Sequence, residues 1–393
     1  MDGLPAARTL KRRALVARGR AVRDGGRFTF SVAREPDDAD IRQLLRETPL
    51  PGSVSLSMER EPDAFASAGI EGDVHDVIVA RHRETGQIAG MASRSSRERY
   101  VNGRASRVGY LGQLRLAASF RRQPDLLAGG FEFCRALHGR DGAAIYLASV
   151  VADNVAARRL LEQRRFGWPA FRAVDRLVTL VIPARRARAG RDAIEILRGD
   201  RIELAATAAV LSRNSPRYQF APRWTAPDLE SPDRVRGLTP QDFVVALRRG
   251  SVAGCLALWD QRAFKQVVVR GYSPALGRWR RCINLLAPIS GIARLPPVGR
   301  QLQFAYLSHL AVDDDDPGVV VALVGGALRV ARARGLDYVA LGLSAAGPLT
   351  APIERAFVHR SYESVLYVVF WPDGASAADA LDERPSQPEI AVL

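Results

Sequence analysis

His309 stands in the middle of the apolar stretch YLSHLAV, residues 306–312, and is one of five histidines in the chain. An imidazole titrates close to neutral pH, so a histidine in a strand can serve as a base or simply pack as a core residue. The stretch has a counterpart, YLGQLRL, residues 110–116, at an offset of 306 − 110 = 196 residues. Both begin Tyr-Leu, alternate apolar residues and precede a loop and a Gly-Gly pair. In the first copy the place of His309 is taken by Gln113, which cannot titrate, so any proton chemistry here would belong to one copy only. With period two, His309 would share a face with Leu307 and Ala311. Directly after the second stretch, residues 313–316 are all Asp. Such a run repels an anion over ~10 Å unless a cation intervenes, and it equally suits the positive end of a helix dipole.

Metal and disulfide chemistry have little to build on. Cys134, Cys255 and Cys282 are far apart with no CxxC pair, and the histidines lack ligand spacing. This cysteine usage points to a reducing, cytoplasmic setting. The net charge of +15, from 57 basic and 42 acidic residues, is carried almost wholly by arginine; Lys11 and Lys265 are the two lysines. It suits an anionic partner such as a phosphate-bearing cofactor, nucleic acid or a lipid surface. Its dispersal along the chain speaks against nucleic acid. No apolar run reaches the ~18 residues of a transmembrane candidate. The basic start, MDGLPAARTLKRRALVARGR, lacks the apolar core of a secretory signal.

The elements that must position these groups follow from period and punctuation. Residues 1–26 read as a basic arm. RFTFSVARE is a strand, and DDADIRQLLRET a helix with an Ile41, Leu44, Leu45 stripe capped by Asp37 or Asp38. DVIVARH and QIAGMASRS form a hairpin across RETG, followed by the long strand ASRVGYLGQLRLAA. LLAGGFEFCRALHG is a helix, AAIYLASVV a strand, NVAARRLLEQRRF a helix, and FRAVDRLVTLVIP closes the half as strands. The small, basic stretch ARRARAGRD, 184–192, reads as a linker. The order then restarts with AIEILRG, RIELAATAAVLSR, a hairpin turning at Arg249 and Gly250, YLSHLAV, and helix–strand–helix–strand to 371. Trp224 and Trp259 read as core. From Pro372 the tail is small and polar, with a composition that predicts disorder. Residues 262–300 have no counterpart in the first half. Their mix of Tyr272, Trp279, basic and apolar residues offers either packing across two domains or a surface for an acceptor, an acidic partner or anionic lipid headgroups, which would allow peripheral membrane contact.

This order, written twice, resembles the GCN5-related N-acetyltransferase (GNAT) fold, over 27–183 and 193–371. The expected fold class is therefore α/β, with a mixed sheet in two tandem GNAT-like domains. The resemblance implies an N-acyltransferase that moves an acetyl or other acyl group from CoA to the amine of an unknown acceptor. In such proteins the fourth strand splays from the fifth and its exposed backbone pairs with the pantetheine arm, here Leu114, Leu116 and Ala117. The following loop and helix start meet the pyrophosphate. In LRLAASFRRQPDLLAGG, Arg121 matches the family's Arg/Gln position, but Pro124 and Leu126 replace its two glycines. Arg121, Arg122 and Gln123 are then the expected phosphate contacts, or else a solvated loop. Asn154 would hydrogen-bond the pantetheine arm, cap its helix, or both. The family's tyrosine acid is missing from both copies, with Leu161 and Phe357 in its place. His309 is the expected base. The aspartates make the second copy the poorer CoA site, so acetyl-CoA or another acyl-CoA is expected in the first. Two further readings stay open: a non-catalytic tandem binding protein, and an aminoacyl-tRNA-dependent transferase, a class that also pairs GNAT-like domains.

Overall fold

Strands β1 (Arg23–Gly25) and β2 (Phe28–Val32) are followed by helix α1 (Asp38–Glu47), which forms where Asp37 and Asp38 precede the apolar stripe. Ile41, Leu44 and Leu45 are buried, each contributing roughly 1.5–3 kcal/mol. The structure, a computed structural model, describes residues 23–121, 123–163, 165, 167–186, 194–290 and 294–393. Arg122, residues 1–22 of the basic arm and residues 187–192 of the linker lie outside the described residues.

From α1 the chain passes through β3 (Val54–Glu59) and the short helix α2 (Ala68–Glu71) to β4 (Val74–His82), β5 (Ile88–Val101) and β6 (Arg104–Leu116). Helix α3 (Pro124–Leu137), β7 (Tyr146–Val151), α4 (Val155–Glu162) and β8 (Ala170–Pro183) complete the first half. The second half runs β9 (Glu195–Arg198), α5 (Leu204–Asn214), α6 (Ala226–Glu230), β10 (Phe243–Arg248) and β11 (Ser251–Trp259). Arg249 and Gly250, both with positive φ, make the two-residue turn whose twist suits this hairpin. Then come β12 (Gln266–Tyr272), α7 (Pro274–Ser290), β13 (Phe304–Val312), α8 (Pro317–Ala333), β14 (Tyr338–Ser344), α9 (Thr350–Ala356), β15 (Arg360–Phe370) and α10 (Ala375–Asp379).

Thirteen strands form one sheet in the order β1-β2-β4-β5-β6-β7-β15-β8-β14-β13-β11-β10-β9. All neighbours are antiparallel except β6–β7 and β13–β14, whose crossovers are α3 and α8. Both parallel pairs are brief. β6 and β7 pair at Gly109–Tyr146 and Tyr110–Leu147 and then part. β13 and β14 pair from Phe304–Tyr338 to Tyr306–Ala340 and then part. The sheet therefore opens into two splays, one in each half.

At its centre the halves exchange their last strands. β15 lies between β7 and β8, and β8 lies between β15 and β14. Leu177, Val178, Leu180 and Ile182 of β8 and residues 365–369 of β15 are all buried, the near-continuous apolar pattern of strands covered on both faces.

Two expectations change. The tail after Pro372 is packed, not disordered: Ala378, Ala391 and Val392 are buried, and the backbones of Gln219 and residues 385–387 pair. Composition failed there because much of the tail's hold comes from backbone hydrogen bonds. In 262–300 the element that crosses between the halves is a strand: β12 pairs antiparallel with β3 as a separate two-stranded sheet.

Candidate functional site

The first splay begins where the ring of Tyr146 lies over Gly109; a Cβ there would stand 2.0 Å from the ring, so only glycine fits. Three residues on, the β5–β6 register shifts and Gln113 takes φ 52°, a bulge in the left-handed region. Past the bulge Leu114 is exposed, as are Val151 at the end of β7 and Val155 at the start of α4. The cleft thus has apolar lips.

Several expected cofactor residues line this cleft and its exit. Leu116 is half-buried on β6 and pairs with Gly90. Ala117 is buried, and its N–H donates to Ala89 at 2.9 Å, so that amide is not free for a pantetheine arm. Arg121 is exposed after a 3-10 turn, and Gln123 Oε1 accepts from Arg27 at 3.3 Å. Pro124 opens α3 without an N–H, and Asp125 follows in the first turn. Among the described residues, Arg121 and Arg27 are the exposed cations beside this helix start. Asn154 follows β7 on the other lip and caps α4, its Oδ1 accepting from the Ala157 N–H at 3.2 Å.

Gln113 leads to a group that sequence reasoning did not find. Its Nε2 donates to Glu71 Oε2 at 3.2 Å. Glu71 ends α2 and is 3% exposed. Its Oε1 accepts from Ser67 at 3.0 Å and Arg60 at 3.2 Å and lies 3.4 Å from Lys265 Nζ. His75 Nε2 lies 2.8 Å from Oε2. Burial alone would raise the Glu71 pKa, but Lys265, His75 and Arg60 outweigh it and hold the carboxyl well below the usual range. Burial pulls Lys265 down to about 8 against the attraction of Glu71. Its Nζ also donates to the carbonyls of Ala391 and Leu393, at 3.3 Å each. Burial, then Glu71, raises Tyr110 to about 12. The cluster joins both halves, since Lys265 and residues 391–393 come from the second.

These residues are scattered from Arg60 to Lys265 without spacing, which is why no motif announces them. One signal was there. A chain with 57 − 2 = 55 arginines has one lysine outside its basic N-terminal arm, at Lys265.

The second splay has the same bulge. The β11–β13 register shifts and His309 takes φ 52°, matching Gln113. The bulge breaks the period-two alternation assumed for His309, Leu307 and Ala311. His309 is 1% exposed and caged by Trp224, Phe243 and Trp259, with ring centroids 4.3, 5.4 and 5.5 Å away. Nδ1 lies 2.9 Å from Ser308 Oγ and 3.6 Å from Glu389. Burial lowers its pKa to about 4, so the imidazole is neutral at physiological pH. The structure places His309 in this cage, not on an open cleft wall.

The tail fills the rest of this splay. Gln387 Nε2 donates to the Leu310 carbonyl at 2.9 Å, and Ile390 packs on Gly342, where a Cβ would come within 2.3 Å. Three of the four aspartates are occupied too. Asp313 accepts from Arg213 and Asn214, Asp315 from Arg217 and Tyr218, and Asp316 caps α8 through Gly318 and Val319 while pairing with Arg248.

No family model matches the sequence, and no curated protein is similar to it. Solved structures do match. A GCN5-related N-acetyltransferase from Sphaerobacter thermophilus is 15% identical, with TM-score 0.53 over 87% of this chain and 95% of that one. An N-myristoyltransferase from Saccharomyces cerevisiae, solved with myristoyl-CoA, is 12% identical, with TM-score 0.56 over 91% of this chain and 87% of that one. A GCN5-related glucosamine N-acetyltransferase region of a fungal multi-domain β-N-acetylglucosaminidase is 14% identical, with TM-score 0.56 over 87% of this chain and 38% of that one. Together with the two splays, these likenesses give the chain the fold of the GCN5-related N-acetyltransferases.

Proposed function

We propose that the chain is an acyl-CoA-dependent N-acyltransferase with one acyl-CoA site, the splay of β6 and β7, and an acceptor amine that reaches it beside Glu71. One observation carries this reading. Gln113 stands at the bulge of the open splay and hydrogen-bonds Glu71, so the cofactor groove and the buried ion cluster share a residue. The thioester would supply the activated acyl group.

The protein's own residues suit the rest. An amine arrives as an ammonium ion and must lose a proton, and Glu71, one hydrogen bond from Gln113 at the bulge, is the carboxylate beside the groove. Tyr110, kept protonated by burial, is the phenol on β6 able to meet a leaving thiolate. The exposed Leu114, Val151 and Val155 suit an apolar arm, and Arg121, Arg122, Gln123 and Arg27 suit phosphates. Asn154 serves first as a helix cap. The base in this reading is the Glu71 carboxylate, because Gln113 ties it to the open splay while His309 lies in an aromatic cage in the other half. The N-myristoyltransferase neighbour, solved with myristoyl-CoA, supports acyl-CoA as the class without fixing chain length.

The loss of both loop glycines to Pro124 and Leu126 favours a second reading, binding without turnover. Isothermal titration with acetyl-, octanoyl- and myristoyl-CoA decides first: one equivalent per chain is expected, and no binding of any of them overturns the proposal. Thiol release with a panel of amines then separates turnover from binding.

A further inference from the structure

Among the described residues, helix α7 is held by one side only. Asn284 accepts from the Leu295 N–H at 2.7 Å and donates to the Leu295 carbonyl at 2.9 Å, and Arg280 donates to that carbonyl at 3.3 Å. Arg280 also lies over the Tyr272 ring. Leu276 and Ile283 are half-covered, and none of residues 274–286 is buried. At about 100° per residue, the opposite face carries Arg278, Trp279, Arg281, Cys282, Leu285 and Leu286. Trp279, Leu285 and Leu286 are 60%, 79% and 58% exposed, and Val298, in the segment before β13, is 59% exposed.

Large apolar side chains at such exposure mark a contact surface. The charge around them says what kind. Residues 261–312 hold eight Arg and Lys and no Asp or Glu, in a chain with 42 acidic residues. Arg278 and Arg281 flank the exposed apolar residues on the same face. A basic face interleaved with Trp and Leu is the pattern of a helix lying in a bilayer interface, with arginine stems over the apolar layer and guanidinium groups at the phosphates. No helix among the described residues is long and apolar enough to cross a membrane. Nucleic acid would use the arginines but leave Leu285 and Leu286 in water.

We propose that the outer face of α7 docks on an anionic phospholipid surface, with Trp279, Leu285 and Leu286 in the headgroup boundary and Arg278 and Arg281 on the phosphates. This stands on α7 alone and does not depend on the acyl-transfer reading. Vesicle flotation of the full chain tests it, with phosphatidylcholine vesicles against the same vesicles containing phosphatidylglycerol. Binding to the anionic vesicles is expected, with a blue shift of tryptophan emission that Trp279→Phe removes. Leu285→Ser with Leu286→Ser should weaken partition by about tenfold or more. Arg278→Glu with Arg281→Glu should weaken it by about 30-fold or more. These side chains are exposed, and unchanged circular dichroism melting would confirm intact folds. Equal binding to both vesicle types, or binding that both double variants retain, overturns the proposal. So does tight binding to a duplex oligonucleotide that the leucine variant keeps and the arginine variant loses.

Discussion

Gln113 and His309 occupy the same place in two strands, each at a bulge with φ 52° beside a parting pair of parallel strands. Around Gln113 the groove has exposed apolar lips and ends at ionised Glu71. Around His309 it is closed by three aromatic rings and the tail, residues 386–392. The backbone event is shared, and what enters the gap differs. A splay leaves strand backbone without a sheet neighbour, and each gap needs a partner. In the second half the chain supplies one itself. In the first half, among the described residues, no comparable segment crosses the gap, and the Glu71 cluster lies beside it.

Removal of residues 386–393 tests this contrast most severely. It strips Glu389 from the His309 cage, two carbonyls from Lys265, and the buried Ala391 and Val392 from the core. A loss of about 3–5 kcal/mol is expected from apolar and polar exposure together, read by urea denaturation. A truncated chain that stays folded and takes up two equivalents of acyl-CoA would break the comparison.

Glu71→Gln should come next. It leaves Lys265 and Arg60 buried without their counter-charge, at a cost of about 3–5 kcal/mol, and in the proposed reaction it removes the carboxylate that takes the proton of the ammonium. Thiol release should fall with Glu71→Gln by at least about 100-fold, while acyl-CoA binding persists. Turnover close to that of the unchanged chain would move the acceptor site away from this cluster.

His309 should show itself in stability and not in turnover. Its folded pKa of about 4 lies below the unfolded value, so the unfolded chain takes up its proton first as pH falls. Stability present above about pH 6.5 is then lost on the way down to about pH 4, by roughly 3 kcal/mol. His309→Gln should flatten that loss in urea titrations across the range. The variant's activity profile between pH 6 and 9 should keep its shape, because the imidazole is neutral throughout; a lost acidic limb would restore His309 as a base.

The smallest effect sharpens the contrast at the phosphate end. Arg121→Glu should weaken acyl-CoA binding by about 1–2 kcal/mol, and less at high salt. Asp314→Ala, at the matching exit of the second splay, should leave affinity unchanged in the same titration.

Local pattern carried the elements well. The α1 stripe, the hairpin turn at Arg249 and Gly250, the repeat of 196 residues and the capping by Asn154 all follow from neighbours in sequence. Three features do not. A left-handed bulge at Gln113 or His309 leaves no composition signal, since neither is glycine or asparagine. The β8 and β15 patterns say that both are buried but not by which neighbour, because any apolar strand would satisfy them. The Glu71 cluster unites charged side chains up to 205 positions apart (265 − 60), each of which alone reads as an ordinary charged residue.

The exchange of β8 and β15 bears on how this chain reaches its shape. Val369 pairs with Phe171, a separation of 369 − 171 = 198 residues, so the central ladder cannot close until both halves have been synthesised and have collapsed. Contacts that distant slow folding, and until they form, β7 and β14 are bare sheet edges able to capture a strand from another molecule. At high concentration the natural error is a domain-swapped dimer, in which the β15 of one chain settles on the β7 of the next.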